Sequence, residues 1–260
     1  MNFWEIVHPD YRERVKEIGR RRQEVELGVK EYEIKILAKD GAEKWIELSS
    51  ASTHVNGRPG GIVSMTDFTA RKQAEARVEH MATHDGLTDL PSLRLANDRL
   101  TMALAMSRRQ KREGAVLFMD LDGFKQVNDT LGHDAGDHVL RQVGRRMQEC
   151  VRETDTVARI GGDEFLIVAY GLNMPSDAVT IAEKILRTVS RPILYQGREA
   201  TVGASIGIAT FPTHGYDREK LLKLADEAMY QVKSSGKNGY RFARLGQPAG
   251  VPAEALERTS

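Results

Sequence analysis

The sequence predicts an α+β protein, and three observations carry that reading. From Leu87 onward, helical and β-like segments alternate as helix, strand, helix, hairpin, helix, strand and helix. Two apolar β-prone runs close on acid groups, one at Asp120 and one at Asp163-Glu164. Residues 1–68 form a separate pattern of one helix and a β meander. An antiparallel sheet with helices on one face would bury the apolar positions of the larger part.

The elements follow in order. Asp10 to Leu27 is charged, with apolar residues at Val15, Ile18, Val25 and Leu27, and reads as an exposed helix. Glu31 to Lys39 alternates apolar and polar residues. Asp40-Gly41 is a turn signal, Lys44 to Thr53 a second strand, Asn56-Gly57 a second turn and Ile62 to Asp67 a third strand. Three strands and one helix make a meagre independent core. Residues 69–84 hold no glycine or proline and read as a linker helix, with Thr69 at its cap and a narrow stripe of Ala74, Val78 and Met81. Leu93 to Lys111 is the next helix, Ala115 to Asp120 a strand and His133 to Val151 a helix. The hairpin is Thr156 to Tyr170. Ser176 to Val189 is helical, Glu199 to Thr210 a strand and Arg218 to Val232 a helix. Residues 246–260 are rich in Pro, Ala and Glu, as in a disordered tail.

Bulk composition excludes several classes. A formal charge of +1 gives no basic excess with which to neutralise a nucleic-acid backbone. A single cysteine, Cys150, rules out an internal disulfide and a cysteine-based zinc cluster, and fits a reducing, cytoplasmic setting. No apolar run approaches the ~18 residues of a membrane span. The first residues, MNFWEIVHPD, lack the basic and apolar regions of a secretion signal.

The chemistry concentrates in two segments. Arg159-Ile-Gly-Gly-Asp163-Glu164-Phe165 places two carboxylates on a glycine turn between β-prone runs. Asp120-Leu-Asp-Gly-Phe-Lys125-Gln-Val-Asn128 follows a strand and ends on residues suited to a sharp turn and helix start. Backbone amides near Gly123 to Lys125 would cradle phosphates. Carboxylates at a strand end and on a hairpin suit a magnesium-dependent phosphoryl-transfer site. Alone, each segment has an ordinary reading as an exposed turn or a capped helix. Together they point to one acidic site. Asn128, His133 and Asp137 offer hydrogen bonds, and a carboxylate such as Asp137 accepts two N–H bonds from the edge of guanine. Gly203-Ala-Ser205-Ile-Gly207 fits a hydrolase elbow in letters only, because Ser205 lies inside a β-like run with no helix start after it. A P-loop is absent from the sequence.

These motifs make residues 85–245 resemble the GGDEF domain of diguanylate cyclases. The resemblance extends through Asp85-Gly-Leu-Thr88, Leu131-Gly-His-Asp-Ala-Gly-Asp137, Ser205-Ile-Gly-Ile-Ala209, Ala225-Asp-Glu-Ala-Met-Tyr230 and Lys233-Ser-Ser-Gly-Lys-Asn238. It implies a palm-like, nucleotidyl-cyclase fold: an antiparallel-centred sheet with surrounding helices. It implies condensation of two GTP into cyclic di-GMP by a homodimer, with Mg2+ (or Mn2+) as cofactor. In that frame Asp120, Asp163 and the Leu121 backbone carbonyl hold metal. Asp163 is also the candidate base, and the adjacent Glu164 assists metal binding. Asn128 and Asp137 read guanine, with His133 in the same substrate-contact segment, while Phe124, Lys125, Lys233 and Lys237 contact the triphosphate. Lys237 replaces the family's usual Arg and keeps charge without the bidentate fork. Arg152-Glu-Thr-Asp155, with Lys184, resembles the family's inhibitory site for its own product. Asp89, Ser92 and Leu93 depart from the family pattern at the turn into the domain.

Residues 1–68 resemble the last part of a PAS domain, through Trp4-Glu-Ile-Val-His-Pro-Asp10, Lys39-Asp-Gly41, Trp45-Ile-Glu and Thr66-Asp-Phe-Thr-Ala-Arg-Lys72. The ligand-cradling elements of that family have no counterpart, so neither haem nor flavin is expected. A non-catalytic receptor for cyclic di-GMP or GTP is the alternative. Its expected mark, a damaged acid motif, is missing.

Overall fold

The structure, a computed structural model, describes residues 5–24, 30–55 and 58–244. Two compact units divide the chain, Met1–His80 and Met81–Ser260. The expected turn at Asn56-Gly57 and the tail of 246–260 lie outside the described residues.

The first unit contains α1 (Pro9–Glu24), β1 (Lys30–Leu37), β2 (Glu43–Val55) and β3 (Arg58–Asp67). The strands form an antiparallel sheet in the order β1-β2-β3, with Ile34 opposite Ile46. Alternation puts Ile34, Ile46 and Leu48 on one face, where they bury against Val7 and Val15. Lys35 and Trp45 form a cross-strand pair, with the Lys35 ammonium 5.3 Å from the indole centre. The linker helix, α2 (Thr69–Thr83), has no buried residue, and its Val78 and Met81 are exposed. Thr69 is not the cap that the sequence suggests. Its hydroxyl bonds to the Trp45 backbone, and Asp67 Oδ1 accepts the Thr69 N–H at 3.0 Å. These bonds and Lys44 hold the Asp67 carboxyl down at about 2.

The second unit runs α3 (Leu93–Gln110), β4 (Glu113–Asp122), α4 (Phe124–Leu131), α5 (His133–Gln148), β5 (Thr156–Gly161), β6 (Glu164–Leu172), α6 (Asp177–Val189), β7 (Ile193–Tyr195), β8 (Arg198–Ala200), β9 (Gly203–Phe211), α7 (Arg218–Ser234) and β10 (Gly239–Phe242). Five strands make the main sheet in the order β10-β9-β4-β6-β5, while β7 and β8 pair separately. Two expectations are corrected here. The sheet is mixed, because β10 runs parallel to β9 after the α7 crossover. Helices also cover both faces rather than one. Leu117, Met119 and Leu121 of β4 join one core with residues of α5 and α6. Val116 joins another with residues of α3 and α7. The uninterrupted apolar run Ala115-Val-Leu-Phe-Met is the mark of a strand buried on both sides.

β4 is the axis of the unit. It pairs with β6 on one side and β9 on the other, so its C-terminal end is fixed laterally by two neighbours. Gly207 of β9 faces α7 so closely that an added Cβ would collide with backbone atoms of Ala225 and Met229. That close approach seats α7 on the sheet and brings its last turn to the end of β4.

Candidate active site

The acid groups converge where β4 ends. Asp120 is opposite Glu164 of β6 and Ser205 of β9. The β5–β6 hairpin turns through Gly162 and Asp163, with Gly162 at φ 53°, a left-handed conformation that suits glycine. The Leu121 N–H donates to the Asp163 carbonyl at 3.1 Å, tying the hairpin to the strand end. Gly123, at φ 83°, then reverses the chain into α4. A cavity of about 440 Å³ results, lined by Asp120, Asp122, Phe124, Lys125, Asp163, Lys233 and Lys237 among others.

Charge in this cavity is unbalanced. Asp120 is 5% exposed and its Oδ2 lies 2.6 Å from the Lys233 ammonium. Burial pushes the Asp120 carboxyl up, the Lys233 bond opposes this, and Asp163 and Glu164 push it further up. Burial pulls Lys233 down, but Asp120, Asp163 and Asp122 outweigh it and hold the ammonium above its ordinary value. Asp122, Asp129 and Asp163 line the cavity with Asp120, against Lys125, Lys233 and Lys237. The oxygen-rich end of β4 fits a hard divalent cation. Among the described residues no three His, Cys, Asp or Glu side chains form a ready-made cage.

The other expected residues divide by position. Asn128, His133 and Asp137 do not line the cavity; they stand on the adjoining α4 and α5. Asn128 Oδ1 packs against Gly136, where an added Cβ would overlap it. Asp137 Oδ2 lies 3.9 Å from Arg141. Lys237 sits at φ 64° in the turn after α7. Arg152, Asp155 and Lys184 come together elsewhere, around a cavity of about 420 Å³. There Asp155 accepts the N–H groups of Arg152 (3.1 Å) and Tyr170 (3.4 Å), while burial pushes its carboxyl up. Lys184 Nζ donates to the carbonyls of Glu149 and Cys150 at 3.0 and 3.1 Å.

Two structural contributors escaped the sequence reading. Arg159 grips Asp85 through NH1 at 2.9 and 3.1 Å, and its Nε and NH2 donate to the Gly162 carbonyl at 3.0 and 2.8 Å. It thus braces the hairpin turn that carries Asp163. Asp122 accepts from Ser205 and from the Asn238 N–H. Both residues stand within the family motifs, but only their spatial partners reveal what they hold. Asp89 is also explained: at φ 58° it occupies a left-handed turn position where the family places glycine.

A mixed sheet with helices on both faces and acid groups at the end of its central strand defines a nucleotidyl-cyclase-like α+β domain. The model of the diguanylate cyclase GGDEF domain matches residues 82–239, and the chain belongs to that family. It is 45% identical over 174 residues to the bifunctional diguanylate cyclase/cyclic di-GMP phosphodiesterase MucR of Pseudomonas aeruginosa, covering 67% of this chain and 25% of MucR. The crystallised GGDEF domain of TpbB (YfiN) from the same organism superimposes with a TM-score of 0.61 at 41% identity, covering 62% of this chain and 95% of that one. The coiled-coil and GGDEF portion of DgcB from Caulobacter crescentus, solved with c-di-GMP, gives a TM-score of 0.60 at 28% identity over 67% and 92% of the two chains. The chain spans 25% of the length of MucR and 43% of that of TpbB.

Proposed function

We propose that this chain is a diguanylate cyclase that condenses two GTP into cyclic di-GMP and two pyrophosphates. The carrying observation is the convergence of buried Asp120 and half-buried Asp163 with Lys125, Lys233 and Lys237 around one cavity. Asp120, Asp163 and the Leu121 carbonyl would hold Mg2+ or Mn2+, which when bound offsets phosphate charge at the attacking and leaving oxygens. Lys125, Lys233 and Lys237 orient the triphosphate, with Phe124 packing beside it. Asn128 and Asp137 read guanine, with His133 in the same segment. Asp163 accepts the proton of the attacking 3′-hydroxyl, and the adjacent Glu164 would assist in holding the metal. The new O–P bond forms at the α-phosphate of the facing GTP as its bond to pyrophosphate breaks, and a second such step closes the ring.

One cavity holds one nucleotide, so the reaction requires two chains face to face. A homodimer gains its rate chiefly from proximity and orientation. Residues 1–68, a partial PAS-like segment, and the helix of 69–84 would govern that pairing, with 85–245 as the catalytic domain. Product bound at Arg152, Asp155 and Lys184 would restrain the enzyme, a reading supported by the cavity they share. The setting is the cytoplasm, where GTP is available; no helix among the described residues is long and apolar enough to cross a membrane.

The test is incubation with GTP and Mg2+ after stripping any bound cyclic di-GMP. The expected product is cyclic di-GMP, lost in Asp163→Asn. A dimer that binds GTP and yields none would favour the receptor reading instead.

A further inference from the structure

The turn between α7 and β10 is strained. Gly236, Lys237 and Asn238 all have positive φ, at 120°, 64° and 47°. Glycine takes such a conformation freely and asparagine tolerates it, but a lysine does so only where its surroundings impose it. Two bonds do so here. The Lys237 N–H donates to the Val232 carbonyl at 3.0 Å, closing the end of α7. The Asn238 N–H donates to Asp122 Oδ2 at 2.9 Å, across 116 residues of sequence.

Asp122 is itself held. Ser205 Oγ, fully buried on β9, lies 3.0 Å from both carboxylate oxygens of Asp122. Gly203, opposite Asp122, leaves room for this contact: a Cβ there would press on Asn238 Oδ1 at 3.3 Å and Asp122 Cβ at 3.4 Å. Asp120 and Asp122 lie two residues apart on β4 and so share a face. The first meets Lys233 and the second fixes the turn that carries Lys237.

We infer that Asp122 is a positioning residue. It clamps the Gly236–Asn238 turn in its left-handed form, which places the Lys237 ammonium at the phosphate end of the cavity. Ser205 is the strut that orients the clamp. The phosphate role rests on the GTP reading above, whereas the clamp itself does not. Because Oδ2 alone serves both Ser205 and Asn238, one correctly placed acceptor oxygen is enough. Asp122→Asn should therefore retain most of the function and Asp122→Ala should lose it.

The experiment has two arms on the full chain. The first follows amide hydrogen exchange of residues 233–239 without nucleotide. Asp122→Ala should raise exchange there about tenfold or more, the loss expected for one charge-assisted hydrogen bond, with the global melting temperature lowered by only a few degrees. Ser205→Ala should do so less strongly, and it serves where Asp122→Ala fails to fold. The second arm measures binding of a non-hydrolysable GTP analogue with Mg2+, and KM and kcat where turnover occurs. Asp122→Ala should weaken binding and raise KM roughly tenfold with a smaller change in kcat. Asp122→Ala combined with Lys237→Ala should be no worse than Lys237→Ala alone. Unchanged exchange, or fully additive losses in the double variant, would overturn the clamp. The exchange effect in Asp122→Ala, together with a wild-type chain that binds no analogue, would overturn the GTP reading instead.

Discussion

Arg159→Ala tests how the acidic hairpin is braced. Its guanidinium makes four short contacts, two to Asp85 and two to Gly162, and the two charged side chains are 11% and 23% exposed. That places the pair between an exposed ion pair, worth about 0–1 kcal/mol, and a buried one, whose breakage costs about 3–5 kcal/mol. A loss of about 2–3 kcal/mol follows. For a domain of this size it should lower the melting temperature by roughly 4–10 °C. The sign of the pH dependence gives a second reading. Burial pushes the Asp85 carboxyl up, but the bonds from Thr88 and Arg159 outweigh it and leave it below the ordinary value. The folded chain therefore binds fewer protons at Asp85 than the unfolded chain. The stability this contributes is present above the ordinary carboxylate value of about 4 and is lost as pH falls through the folded one. Removing Arg159 removes part of that term. The stability gap between wild type and Arg159→Ala, measured by denaturant unfolding at a series of pH values, should be widest above about pH 5 and narrow on acidification. A gap below about 1 kcal/mol, or one that widens in acid, would refute this account of the brace.

Other substitutions probe other joints. Gly136→Ala should displace the Asn128 amide, raising KM for GTP about tenfold or more with little change in melting temperature, as steady-state kinetics would show. Gly207→Ala should force α7 off β9 and cost about 3 kcal/mol or more in chemical denaturation. Arg146→Ala removes a guanidinium that donates to the carbonyls of Thr188, Val189, Arg191 and Pro192, and should cost about 1–2 kcal/mol in the same measurement. Arg152→Ala should leave initial rates unchanged and abolish slowing by added cyclic di-GMP.

The sequence exposed the site more fully than the sheet. The acid groups sit in local runs with glycines beside them, so their turn chemistry is visible without tertiary knowledge. The hairpin expected over Thr156 to Tyr170 is present as β5 and β6, and the linker helix starts at Thr69 as read. What escaped depends on partners remote in sequence. The four residues of β10, Gly-Tyr-Arg-Phe, carry no periodicity and become a strand only because β9 offers its edge. The run read as one strand from Glu199 to Thr210 is divided at Thr201-Val202, because β8 pairs back on β7 while β9 joins the main sheet. Asp122 and Arg159 look like ordinary charged residues until the groups they hold, 116 and 74 positions away, are brought beside them.

The placement of β10 bears on how the protein is made. During synthesis the strands that carry Asp120 and Asp163 emerge well before Lys233, Lys237 and the turn that Asp122 holds. The parallel β9–β10 pair forms only after α7 has been translated, since the chain must return to the same end of the sheet. A nascent chain therefore exposes its acidic strand ends without the lysines that face them. The lysine side of the cavity is thus completed late, only once α7 and the turn into β10 have been made.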